Sequence, residues 1–333
     1  MILSERPFGV ILRDLPGENR DLADALSATT RAGASRLQVP SLTWLSEALD
    51  PGELIRAGAD AATAGVELTA TLGVVNPRRP ERSAALAELG EGSLLSGVGR
   101  VARAARLAGI DALHITVGAL DDRTDTEVPF GEQLASAGRF LAEAVTVAAE
   151  SGVRLVLKTH EEMSSHEAVA LTDVAPGLLL GFSPVNLLVG LEDPVVAARR
   201  VLNVTHTLFV DDAALERTDR GFARHLVPVG TGVVDWKTIL GLVTASCAIT
   251  LDLHRAAFDV PFLDDGWLSY EPHASVPELL ALSRVAVPSA PQTDASPRER
   301  FARGAAALGG RPVQDQTPGE RGVLAVDTGE PES

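Results

Sequence analysis

Eight times along this chain a short run rich in Val, Ile and Leu is followed by a longer stretch of helical character. The runs lie at residues 8–12, 35–39, 66–74, 111–117, 153–158, 178–182, 204–210 and 248–254. Runs of this length, bounded by Gly, Pro or Asp, suit buried strands. A strand, a crossing helix and a further strand, repeated, force parallel pairing. Eight such units over about 285 residues predict an α/β fold of the (β/α)8 class, a TIM barrel. A doubly wound open sheet is the runner-up, but no Gly-x-Gly-x-x-Gly follows the first run to support a dinucleotide fold. Residues 1–287 are expected to form one barrel. From Pro288 onward Pro, Ser, Asp, Gly and Arg dominate, so 288–333 is expected to be a flexible tail, with 298–308 as one short surface helix.

The fifth run holds the chemistry. Side chains alternate along a strand, so Val156, Lys158 and His160 share one face and Leu155 and Leu157 the other. A lysine and a histidine thus point together at the carboxyl end of the strand, where barrels bind their ligands. The chain holds 29 basic residues, of which only Lys158 and Lys237 are lysines. One of the two therefore stands in an apolar strand, a costly place for an ammonium without a partner.

Composition narrows the partners. A formal net charge of -16 argues against nucleic acid and anionic membrane surfaces, and leaves a small polar molecule as the expected ligand. The single cysteine, Cys247, fits a reducing compartment. No apolar run reaches membrane-spanning length and residues 1–7 lack the design of a signal peptide, so a cytoplasmic protein is expected. A homo-oligomer or a partner subunit stays open.

The turn Pro228-Val229-Gly230-Thr231-Gly232-Val233-Val234-Asp235-Trp236 resembles the "pvGeGxvdw" turn of the xylose-isomerase-like superfamily, and 262–278 resembles that group's last loop and helix. The resemblance spans about residues 8–286. That group includes inosose dehydratase-like, hydroxypyruvate isomerase-like and AP-endonuclease-2-like barrels, and the resemblance implies a barrel that isomerises or epimerises sugars or sugar phosphates. It further implies a divalent metal such as Mn, held by a Glu, an Asp, a His and a Glu from strands five to eight. Carried over position by position, those ligands become Lys158, Ser183, Leu208 and Asp252, while His160, Asn186, His206 and Asp211 match neighbouring motif positions. A lone carboxylate does not hold a metal. No metal ligand and no cofactor are therefore expected, with a site rebuilt from His160, His206, His254 and Asp252 as the disfavoured alternative.

The expected chemistry is metal-independent isomerisation, epimerisation or lyase action beside a carbonyl. His160 would move the proton, Lys158 would stabilise the oxyanion or act as a Schiff-base nucleophile, and Asp252 would orient Lys158. Ser183, Asn186, His206, His254, Arg13 and Gln38 are the expected substrate contacts. The alternative from another class is an inactive barrel that binds a ligand or serves as a partner subunit.

Overall fold

In a computed structural model of the chain, residues 2–18, 21–289 and 295–310 are described. The first seven strands are β1 (Phe8–Ile11), β2 (Arg36–Val39), β3 (Glu67–Val74), β4 (Ala112–Thr116), β5 (Arg154–Lys158), β6 (Leu179–Phe182) and β7 (Thr205–Val210). After β7 come β8 (Asp212–Thr218), β9 (Gly221–Val227), β10 (Ala248–Leu251) and β11 (Phe258–Val260). Strands β1 to β7 and β10 close into a barrel in the order β1-β10-β7-β6-β5-β4-β3-β2. The closing pair, β1 with β10, is parallel like the rest. The eightfold alternation read from the sequence is thus a closed (β/α)8 barrel.

Local chemistry starts the outer helices. Ser164 caps the helix Ser165–Val174 in a reciprocal box with Glu167. Asp193 caps Pro194–Val201, with Pro in the first turn where its missing N–H costs nothing. Asp235 accepts from the Thr238 N–H at the start of Trp236–Leu242. Among the described residues no helix is long and apolar enough to cross a membrane.

Three features depart from the sequence reading. Residues 213–227, between the seventh run and the Pro228–Trp236 turn, carry no strand pattern in the sequence, yet they form the antiparallel hairpin β8–β9, which β11 extends to a three-stranded sheet. Its turn needs glycine: Gly221 has φ +147°, and a Cβ there would come within 2.3 Å of the Val260 carbonyl oxygen. Second, β7 bulges against β6, where Leu180 pairs with Thr205 but Gly181 with Thr207. The extra residue is His206, and one extra residue exchanges the two faces of a strand. The Phe209 ring lies inside the barrel against His114 and Lys158, whereas Leu208 packs in the hydrophobic core. The sequence alignment had put Leu208 on the inner face. Third, the helix Pro297–Ala307 is docked, with Phe301 fully buried and Gly304 so close to Leu251 that a Cβ would approach to 2.7 Å. The remainder of the tail, 290–294 and 311–333, lies outside the described residues.

Candidate active site

A cavity of about 570 Å³ opens at the carboxyl ends of β1 to β5. Its lining includes Arg13, Gln38, Trp44, His114, Lys158 and His160. Parallel strands present their carboxyl ends here and every second side chain points inward, which is why residues so distant in sequence meet.

Lys158, the last residue of β5, donates to Oδ2 of the fully buried Asp252 and lies 4.7 Å from the centroid of the Phe209 ring. The other oxygen, Oδ1, accepts from Arg13 Nη2 at 2.6 Å. Burial alone would raise the Asp252 carboxyl, but the charges of Lys158, His254 and Arg13 outweigh it and hold the group well below the usual carboxylate range. One carboxylate therefore joins two cations across the mouth. Behind it, burial and the Asp252 charge push Asp14 up to about 6, although Asp14 accepts from the Leu253 N–H and from Arg255.

His160 lies just beyond Lys158 with a third of its side chain exposed. Nδ1 is 2.7 Å from Glu162 and Nε2 is 3.0 Å from Glu161. Burial opposes the charged ring, yet the two carboxylates prevail and raise its pKa to about 10. The ring is an imidazolium at neutral pH with both N–H groups engaged, and in this state it cannot accept a proton.

Two cavity walls carry buried atoms without partners. Oε1 of Gln38 and Nδ1 of His114 make no hydrogen bond, while Gln38 Nε2 donates to Thr71 Oγ1 at 3.1 Å. Gln38 was among the expected substrate contacts. His114 was not singled out, yet the alternation that exposed Lys158 also places it inward, between the core residues Leu113 and Ile115. Burial first, then the His206 and Lys158 charges, lower His114 to about 3, so its ring is neutral.

The other side of the mouth is filled. His254 donates its backbone N–H to Asp211 at 2.8 Å and pairs with it through Nδ1 at 2.9 Å, while Arg300 Nη2 reaches both Asp211 oxygens at 2.8 Å. Arg224, also buried, donates to the carbonyls of Val185 and Ala256 and pairs with Glu161 at 3.4 Å. Asn186 donates to the Thr159 carbonyl, and the Ser183 N–H to Thr159 Oγ1. Ser183, Asn186 and His254 are thus buried in this network and outside the cavity lining. His206, at the amino end of β7, bonds its neighbour Thr207 and lies near Arg154 and Asp111, at the opposite end of the barrel. Of the expected contacts, the cavity gathers Arg13, Gln38, Lys158 and His160.

The glycine-rich turn proves architectural. Asp212 accepts from the N–H groups of Ala213, Gly230, Gly232 and Val234, and a Cβ on Gly232 would meet its Oδ1 at 2.1 Å.

A closed parallel barrel with a polar mouth at its carboxyl end defines the class, that of (β/α)8 barrels. No family model and no curated protein sequence matches the chain. Solved structures do match its fold. The xylose isomerase domain protein from Planctomyces limnophilus aligns with TM-score 0.57 at 17% identity, over 75% of this chain and 91% of that one. D-psicose 3-epimerase from Clostridium cellulolyticum H10, solved with D-tagatose, aligns with TM-score 0.60 at 12% identity, over 91% and 97%. A xylose isomerase-like barrel protein from Mycobacterium smegmatis, in complex with magnesium, aligns with TM-score 0.56 at 15% identity, over 86% and 100%. Identities this low establish a shared fold and leave the chemistry to the site itself.

Proposed function

We propose that the chain is an isomerase, epimerase or related lyase that acts beside a carbonyl group of a hydroxylated, sugar-like small molecule without a divalent metal. The observation that carries this reading is the Lys158 ammonium at the open mouth, anchored on Asp252 with two further N–H donors for a ligand. A divalent ion here would need converging carboxylates or imidazoles. Asp252 instead gives both oxygens to cations, the inner face of β7 offers Phe209, and among the described residues no three His, Cys, Asp or Glu side chains group as a metal site requires. These residues do not fit the metal that the fold's relatives suggest.

With the carbonyl oxygen on Lys158, negative charge developing there in the transition state meets a fixed cation in a partly dry site. A single donor of this kind is worth about 10²–10³ in rate. His160 starts protonated, so its Nε2 proton first passes to Glu161, 3.0 Å away; the freed nitrogen then takes the proton from the carbon beside the carbonyl as charge gathers on the oxygen at Lys158, and gives it back in the second half of the reaction. Glu162, at 2.7 Å, holds the proton on the ring between these steps.

The test is deuterium uptake from D2O beside the carbonyl of ketoses and keto acids, followed by NMR with chelator-treated protein. Uptake that survives chelation and falls at least 100-fold in Lys158→Met is expected. Uptake that requires added Mn would overturn metal independence. One observation favours a second reading, a non-catalytic ligand-binding barrel: both His160 nitrogens already face carboxylates. Ligand binding without uptake would select that reading.

A further inference from the structure

The open cavity is chemically two-sided. On the β1 and β5 side stand Arg13 and Lys158, which share the one carboxylate of Asp252, and Glu18 lines the same cavity. Arg13 is half exposed, with one hydrogen bond to Asp252 and a looser 3.7 Å contact to Asp14, so much of its guanidinium edge faces the opening. On the β2 and β4 side stand Gln38 and His114, each more than nine-tenths buried and each with an unpartnered polar atom. Buried polar atoms are seldom left unpaired, and two on one cavity wall point to a ligand that brings hydroxyl groups. Trp44 and Pro40 complete the lining between these sides, a surface suited to the C–H face of a sugar.

We infer that the cavity takes a hydroxylated 2-oxo carboxylate, a sugar acid, with its carboxylate on Arg13, its carbonyl oxygen on Lys158 and its hydroxyls on Gln38 and His114. The inference rests on the carbonyl chemistry proposed above and adds the ligand class. A planar carboxylate matches the guanidinium fork of Arg13. A phosphate carries about −1.5 to −2 and would meet the Glu18 carboxylate in the same lining with more charge to offset.

The test uses calorimetric titration of the full chain with three probes. 2-Keto-D-gluconate is D-fructose with its first carbon oxidised to a carboxylate, and D-fructose 6-phosphate supplies an anion of the other kind. The keto acid is expected to bind at least tenfold more tightly than either sugar. Arg13→Gln, at a half-exposed position, is expected to erase that advantage. Gln38→Leu is expected to weaken keto acid and fructose alike. Equal or tighter binding of fructose or its phosphate overturns the ligand class. If fructose then takes up deuterium in a Lys158-dependent way, the carbonyl chemistry survives that failure. No binding of any probe by folded protein overturns both.

Discussion

The two halves of the barrel mouth solve the same problem in opposite ways. Each is lined by strand ends that carry charged and polar groups into the interior. On the β6, β7 and β10 half, Arg224, Arg300, Asp211, His254 and Asn186 bond mainly to one another and to backbone carbonyls, with only the Nε atoms of the two arginines left without a partner. On the β1 to β5 half, Arg13 and Lys158 keep spare donors, Gln38 and His114 keep unpaired atoms, and a cavity remains. Charged groups that pair with one another serve stability. Pairing that is left incomplete, at a cost in stability, marks where a ligand belongs. Replacing a closed-half residue should therefore weaken the fold, and replacing an open-half residue should weaken binding or turnover.

The largest effect is expected from Arg300→Met. The guanidinium grips both oxygens of the buried Asp211 and donates to the His254 carbonyl. Its removal leaves a buried carboxylate with His254 as its remaining side-chain partner, which by analogy with other buried pairs costs about 3–5 kcal/mol. Urea denaturation of the variant checks this. A loss under 1 kcal/mol would mean that the closed half is not the stabilising one.

Lys158→Met is expected to behave in reverse. Turnover should fall about 10²–10³-fold, or about 2.7–4 kcal/mol in the barrier. Stability should fall less than for Arg300→Met, since Arg13 still neutralises Asp252. Measuring both quantities on both variants gives a crossed pattern if the halves differ, and parallel losses if they do not.

His160 stands on the boundary between the halves, and its pH dependence sharpens the contrast. Its folded pKa of about 10 lies above the ordinary imidazole value of 6.5. The stabilisation is therefore fully present below 6.5 and is lost as pH rises through 10. Asp14, Asp212 and Glu271, raised by burial to about 6, 6 and 7, titrate lower, and the buried Cys247 thiol, raised to about 11 from 9.0, titrates higher. Between pH 7 and 9 the decline in stability should belong chiefly to His160. His160→Gln should be less stable at pH 7 and show a flatter slope across that window in thermal unfolding. An unchanged slope would mean that the ring is neutral when folded.

Much of the open half was legible in the sequence because it depends on strand alternation and on one unusual lysine. Lys158, Arg13 and Gln38 all end or follow strands whose apolar pattern is plain. His114 obeys the same alternation and was visible in principle, hidden only because a histidine among apolar residues usually reads as core. The closed half was not legible. Arg300 and Asp211 stand 89 positions apart and look like surface charges until the docked helix brings them together. The bulge at His206 has no local signature, yet it exchanges Leu208 for Phe209 inside the barrel. Residues 213–227 hid their strands because Glu216, Arg217, Arg224 and His225 break the apolar pattern, although Leu215 and Phe222 are buried.

The smallest effect tests the comparison most finely. Oε1 of Gln38 is buried without a partner, and an unpaired buried polar atom costs about 1–3 kcal/mol. Gln38→Leu removes that atom at similar volume, and loses in exchange the bond from Nε2 to Thr71 Oγ1, worth about 1 kcal/mol. The two nearly cancel, so the variant should unfold within about 1 kcal/mol of the parent, with stabilisation the more informative direction. A residue whose loss leaves the fold intact but weakens sugar-acid binding is one kept for a ligand. If Gln38→Leu instead destabilises the chain as strongly as Arg300→Met, Gln38 belongs to the architecture, and the cavity wall it forms was never open in the sense proposed.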